Sequence, residues 1–213
     1  EELTALAKVL EKHPHVYVVS DEIYEHINFS GTFCSIGSIP GMLERTITVN
    51  GVAKAFAMTG WRIGYIGAPE FIAKACTKIQ GQVTSGANSI AQRATITAVE
   101  ADPSVLNEMV SAFKNRRDLV VGLLKEIPGV KINVPEGAFY VFPDISSFFG
   151  KKAGGTTVNT AEDLCMYLLD KGVALVSGEA FGDANCMRIS YAASEETLTE
   201  AMKRVADALA ELN

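Results

Sequence analysis

No stretch of this sequence stays apolar for the roughly 18–20 residues that a bilayer-spanning helix needs, so no membrane segment is expected. No basic surplus exists either: 19 lysines and arginines face 25 acidic residues, a formal net charge of −6. That balance argues against a dedicated nucleic-acid binder, whose footprint is a basic face, and offers no attraction to an anionic lipid surface. Cysteine is scarce, and Cys34, Cys76, Cys165 and Cys186 lie far apart. None forms a C-x-x-C pair, and His13, His15 and His26 have no ligand-spaced companions, so no metal site is expected. Scattered unpaired thiols fit a reducing cytoplasm. The opening Glu1-Glu2-Leu3-Thr4 has neither the basic region nor the apolar core of a secretory signal.

What is present is ordinary globular material. With 48% hydrophobic and 21% charged residues among 213, the chain can bury one sizeable core, or one domain and part of another. Leu3, Leu6, Ala7 and Leu10 share one face of an opening amphipathic helix. The apolar run 16–20 reads as a strand buried on both faces, ending at Asp21. Further strands are expected at 46–49 and 62–67, and helices at 70–80 and 89–101. Strands alternating with helices imply a parallel or mixed sheet under a helical cover.

Near residue 102 the pattern changes. Pro103 suits the first turn of a long helix capped by Asp102 and running toward Leu124. Strands are then expected at 130–134, 138–143, 173–176 and 187–191, with helices at 161–171 and 195–212. The segment 151–156, with Gly154-Gly155, reads as an exposed loop; it lacks the lysine and strand context of a phosphate loop.

Four side chains stand out in the first half, each with a bland alternative. An acidic residue such as Asp21 at a strand end most often caps the next helix. Tyr24, three residues on, would share its side through one helical turn. A loop lysine is normally a solvated charge, yet Lys54 sits among Val52, Ala53, Ala55, Phe56, Ala57 and Met58. Such surroundings make Lys54 a candidate for a desolvated, nucleophilic amine. Arg62 follows eight positions later, beyond Trp61, which with Phe56 is read as packing. Arg188, in the second half, lies on an otherwise apolar strand, where the bland reading is an edge arginine with its head in water.

Taken together these residues carry a resemblance. The run Val19-Ser20-Asp21-Glu22-Ile23-Tyr24, then Asn50-Gly51-Val52-Ala53-Lys54, then Met58-Thr59-Gly60-Trp61-Arg62-Ile63-Gly64-Tyr65 resembles the class I aminotransferases of fold type I. It is most similar to their bacterial aspartate aminotransferase branch. The likeness continues through Gly137-Ala138-Phe139-Tyr140-Val141-Phe142, Gly178-Glu179-Ala180-Phe181-Gly182 and Arg188-Ile189-Ser190-Tyr191-Ala192.

The resemblance implies an α/β fold. Residues 1–101 would be the C-terminal part of the large pyridoxal-phosphate-binding domain, with a mixed, mostly parallel sheet. Residues 102–213 would be the smaller α+β C-terminal domain with its linking helix. It also implies roles. Lys54 would carry pyridoxal 5′-phosphate covalently and move a proton during turnover. Asp21 would pair with the pyridine nitrogen, Tyr24 would donate to the phenolic oxygen, and Arg62 would hold the phosphate. Arg188 would clamp the substrate α-carboxylate. The reaction implied is transfer of an amino group from an L-amino acid, aspartate first, to a 2-oxo acid such as 2-oxoglutarate, in a cytoplasmic homodimer. A same-fold lyase, and a truncated chain without activity of its own, stay open as alternatives.

Two departures stand beside the likeness. Ala53 occupies the position where this branch commonly has a serine that donates to the phosphate. A hydrogen bond of that charged kind is worth about 1.5–3 kcal/mol if nothing replaces it. The family's N-terminal half, with its phosphate loop and ring-stacking aromatic, has no counterpart in these residues.

Overall fold

A computed structural model describes residues 1–213. The chain divides into two compact units, Glu1–Asn107 and Glu108–Asn213.

In the first unit, helix α1 (Glu2–Glu11) lays Leu3, Ala7 and Leu10 against Ile36, Ile39, Met42 and Val18. That is the apolar stripe of its 3.6-residue period. Strand β1 (Val18–Asp21) pairs in parallel with β2 (Thr46–Gly51), which pairs antiparallel with β3 (Gly64–Gly67). The sheet is therefore mixed, in the order β1-β2-β3. Arg45 ties the segment before β1 to β2: its guanidinium donates to the carbonyls of Leu10, His13 and Val16. Helices α2 (Glu70–Val83) and α3 (Ser89–Glu100) follow, the second capped by the Asn88 side chain on the Ala91 N–H.

One expectation needs correction here. The strand read as buried on both faces alternates instead, and Val19 is 71% exposed. An apolar run alone does not separate two covered faces from one, and within this unit β1 is an edge strand covered on the Val18 side only.

In the second unit, α4 (Asn107–Lys125) buries Arg117, Val120, Val121 and Leu124. A second sheet has the order β4-β8-β7, from β4 (Tyr140–Val141), β7 (Val176–Ser177) and β8 (Met187–Ser190), antiparallel throughout. Helices α5 (Ala161–Asp170) and α6 (Glu195–Ala210) complete the unit. The first opens with a reciprocal capping box between Thr160 and Asp163. Their apolar faces, Leu164 and Leu168, Leu198, Met202 and Val205, are buried, as are Met187, Ile189 and Tyr191.

The expected strand at 130–134 does not form; only a single bridge, Lys131 to Asp144, occurs there. The expected loop at 151–156 is instead a hairpin, β5 (Lys152–Ala153) with β6 (Thr156–Thr157). Gly154 and Gly155 both take positive φ between those strands, which suits a two-residue turn matching the strand twist.

Candidate active site

The sheet of the first unit gathers chemistry at one end. Because β1 and β2 are parallel, with Asp21 opposite Val49, their carboxyl ends finish side by side. Antiparallel β3 begins at that same end, with Gly64 opposite Gly51. Asp21 closes β1, Lys54 follows β2 by three residues, and Arg62 precedes β3 by two. The carboxyl ends of adjacent parallel strands are where open α/β sheets take ligands.

The local backbone fits these residues to that edge. Gly51 is packed so tightly that an added Cβ would stand 2.8 Å from the Ile63 carbonyl oxygen and 3.1 Å from the Gly64 Cα. Residues 52–56 turn immediately after it: the Phe56 N–H donates to the Val52 carbonyl and the Ala57 N–H to the Lys54 carbonyl. Val52 and Ala55 are buried and anchor the turn, leaving Lys54 half-buried between them. Its Nζ lies 5.9 Å from the centroid of the Tyr24 ring, close enough for the ring face to attract an ammonium. Arg62 adopts the left-handed conformation, φ 55° and ψ 52°, and its Nη1 donates to the Thr59 carbonyl at 3.0 Å.

Asp21 is exposed, and one carboxylate oxygen accepts from the Ile23 N–H at 3.2 Å. The residues after it form a turn, not the helix that a capping role for Asp21 would require, with the Glu25 N–H donating to the Glu22 carbonyl and the Ile27 N–H to the Tyr24 carbonyl. Tyr24 is half-buried in that turn. Sequence reasoning assigned no role to Glu22, which is 8% exposed and accepts from Ser20 Oγ at 3.1 Å and Ser35 Oγ at 2.6 Å. Its own N–H donates to the Val49 carbonyl, so this buried carboxylate pins the turn between Asp21 and Tyr24. The period-2 alternation of Val18, Ser20 and Glu22 was the signal that could have found it.

A second cluster was also missed. Asn50 Nδ2 donates to Glu25 Oε1 at 2.8 Å, and Asn50 Oδ1 accepts from the Gly51 N–H at 2.7 Å. His26 Nε2 stands 3.2 Å from the same Glu25 oxygen. Burial, and after it the Glu25 charge, push the Tyr65 phenol above its ordinary value. Asn50 thus ties the Tyr24 turn to the strand end that leads into Lys54.

An open groove of about 1670 Å³ runs between the 57–66 segment and helices α2 and α3. It contains Arg62 but not Asp21, Tyr24 or Lys54, and it exceeds the roughly 300–1,000 Å³ of a small-ligand pocket. Trp61, expected as packing, is 46% exposed along it.

Arg188 belongs to the second unit. It is half-buried on β8, with its guanidinium carbon 4.5 Å from the Tyr140 ring centroid and 4.2 Å from that of Phe181. The water-facing edge arginine of the bland reading is not what forms.

Comparison with known proteins bears on this arrangement. A family model described as aminotransferase class I and II matches residues 1–205. A bifunctional aspartate aminotransferase and glutamate/aspartate-prephenate aminotransferase of Petunia hybrida is 52% identical over 213 residues, 97% of this chain and 44% of the relative. The aspartate aminotransferase of Pinus pinaster is 48% identical over 215 residues, 98% of this chain and 44% of the relative. The crystal structure of the aspartate aminotransferase from Rhizobium meliloti superposes with a TM-score of 0.93 at 46% identity, covering 98% of this chain and 53% of that one. The chain therefore spans about half the length of the curated relatives it matches.

Proposed function

The chain belongs to the class I and II aminotransferase family, which uses pyridoxal phosphate, and from that premise we propose that Lys54, Asp21, Tyr24 and Arg62 hold this cofactor for transamination. The observation that carries the reading is the shared edge: β1 and β2 end there side by side and β3 begins there.

The donor set matches the cofactor's chemistry. Asp21 accepts one hydrogen bond, from the Ile23 N–H, so its carboxylate keeps capacity to accept from a protonated pyridine nitrogen. The Tyr24 phenol suits a donor to the phenolic oxygen. Arg62 spends one donor on the Thr59 carbonyl, and the rest of its planar fork suits a phosphate. Lys54 supplies the amine. When bound, the cofactor supplies an electron sink conjugated to the substrate α-carbon.

Each residue then has a defined task. Asp21 keeps the ring nitrogen protonated, which deepens that sink. Lys54 would take the proton from the substrate α-carbon and give it back during turnover, acting as base and then acid. Tyr24 stabilises negative charge on the phenolic oxygen, and Arg62 fixes the phosphate. Arg188 receives the substrate α-carboxylate in a bidentate grip, which removes orientational freedom before proton transfer.

For the complete protein we propose aspartate as amino donor and 2-oxoglutarate as acceptor, in a cytoplasmic homodimer. The choice of aspartate rests on the names of the relatives, which include aspartate aminotransferases; 2-oxoglutarate, the homodimer and the cytoplasmic setting are what the family resemblance implies. The same residues would also serve a lyase of this fold. Supplying a cystathionine-like thioether amino acid without any 2-oxo acid separates the two, because pyruvate release would sink the transaminase reading.

The test of the site is chemical. Incubation with pyridoxal phosphate, borohydride reduction and peptide mapping should place the pyridoxyl mass on Lys54. A modified lysine elsewhere, or full transamination by Lys54→Ala, would overturn the assignment.

A further inference from the structure

Arg188 presents an unusual combination. It is half-buried, yet its guanidinium donates to no carboxylate or carbonyl of its own unit; its contacts are the rings of Tyr140 and Phe181. A charge removed from water is normally paired with an opposite charge or fully hydrogen-bonded. Here two aromatic faces take that place.

The sheet explains how the rings reach it. Arg188 and Ser190 point to the same side of β8, because side chains alternate along a strand. Met187 and Ile189 point to the other side and are buried. Tyr140 is the direct antiparallel partner of Ser190, so it lies on the Arg188 side and diagonal to it, within reach of a long side chain. Phe181 arrives from the 3-10 turn Gly178–Phe181. That turn is fixed at its root: a Cβ on Gly178 would meet the carbonyl oxygens of Asp183 and Cys186, both at 2.4 Å. Its N–H donates to the Cys186 carbonyl at 2.8 Å. Phe142 supports Phe181 edge-on, with ring centroids 6.2 Å apart.

We propose that Tyr140 and Phe181 are positioning residues that hold the Arg188 guanidinium by its faces and leave its in-plane donors for the substrate carboxylate. The proposal rests on the reading of Arg188 as the carboxylate site. An acidic partner would stabilise the guanidinium equally well, but it would occupy the N–H groups and compete with substrate. A ring face attracts the cation without accepting those hydrogen bonds. The planar fork is thereby oriented before the ligand arrives, and less freedom is lost on binding.

The experiment uses the complete protein loaded with pyridoxal phosphate, and maleate as a non-reacting dicarboxylate probe in calorimetric titration. Tyr140→Leu and Phe181→Leu should each weaken maleate binding by roughly 2- to 30-fold. The aspartate KM should rise with them while kcat changes less, the mark of lost uniform binding. Tyr140→Phe keeps the ring face and should restore affinity to within about two-fold of wild type. Phe181 is 47% exposed, so its truncation leaves the core intact. If both leucine variants bind maleate normally while Arg188→Ala does not, the clamp is overturned and the carboxylate site survives. Tyr140→Phe as weak as Tyr140→Leu would assign the effect to the hydroxyl and also overturn the clamp. Unchanged binding by Arg188→Ala overturns the carboxylate site itself, and the clamp with it.

Discussion

The Lys54 amine stands 5.9 Å from the centroid of the Tyr24 ring, which joins the turn after β1 to the turn after β2. Two roles meet in that tyrosine: its ring face borders the amine, and its hydroxyl is the proposed donor to the cofactor. They can be separated by substitution. Tyr24→Phe keeps the ring and loses the donor, and kcat should fall by roughly 10- to 100-fold, the equivalent of one hydrogen bond to a charged group. Tyr24→Leu removes both and should fall further. Steady-state kinetics with aspartate and 2-oxoglutarate decide it, and equal activity of wild type and Tyr24→Phe would remove the hydroxyl from the mechanism.

Gly51 sets the spacing between the strand ends that carry Lys54 and Arg62. Gly51→Ala forces a Cβ to within 2.8 Å of the Ile63 carbonyl oxygen, and backbone cannot step aside as a flexible side chain can. A loss of about 1–3 kcal/mol in urea unfolding is expected. Gly60→Ala is the control, because its added Cβ meets nothing within 4 Å, and it should stay within about 0.5 kcal/mol of wild type. Equal stability of the two variants would contradict the close approach.

Asn50 bonds both to Glu25 and to the Gly51 N–H, so it couples the Tyr24 turn to the start of the Lys54 turn. Asn50→Ala should destabilise the protein by about 1.5–3 kcal/mol, since its partner is charged. A double-mutant cycle with Glu25→Ala should return a coupling of about 0.5–3 kcal/mol. Additive effects would show that the contact carries no energy.

The placement of the candidate site residues could be read in the sequence, for a physical reason. Asp21, Lys54 and Arg62 sit at or just beyond strand ends, and strand ends are marked locally, by Asn50-Gly51 closing β2 and by the apolar runs before them. The helices were equally legible: the expected 161–171 segment is α5, Ala161–Asp170, because its cap and its apolar period agree. Glu22 and Glu25 cannot be told apart in the sequence, since two acidic residues in an acidic stretch look alike until tertiary partners, Ser35 and Asn50, choose between them. The 130–134 segment failed for the complementary reason. Its β-branched residues favour a strand, but pairing needs a partner, and only Lys131 finds one at Asp144.

The thiols divide by burial. Cys34 and Cys76 are exposed, whereas Cys165 and Cys186 are buried, and burial pushes both of the latter up to about 11. At pH 8 only about a thousandth of such a thiol is thiolate, the form that reacts. Brief iodoacetamide treatment of the folded protein should therefore modify Cys34 and Cys76 and spare Cys165 and Cys186, as read by intact mass and peptide mapping. Rapid labelling of all four in the native state would refute that burial pattern.

The end of α6 carries a small pH-dependent clasp. Glu211 accepts from Tyr167 Oη at 2.8 Å and from Lys171 Nζ at 2.6 Å. The Lys171 bond, then the Tyr167 bond, hold the Glu211 carboxyl below its ordinary value of 4.5. The same contact holds the Lys171 ammonium above its ordinary value of 10.5. A lowered carboxyl gives stability that is present above its unfolded value and is lost as pH falls through the folded one. A raised ammonium gives stability that is present below its unfolded value and is lost as pH rises through the folded one. Glu211→Gln keeps an acceptor for Tyr167 but removes the charge. Its melting temperature should sit below that of wild type by a constant amount near neutrality. That gap should close as pH drops below the ordinary carboxyl range, and again as pH rises beyond the ordinary lysine range. Because the clasp is solvent-exposed the gap is small, so its disappearance at both extremes, rather than its size, identifies the pair. A gap that persists unchanged to low pH would trace the effect to packing instead of charge.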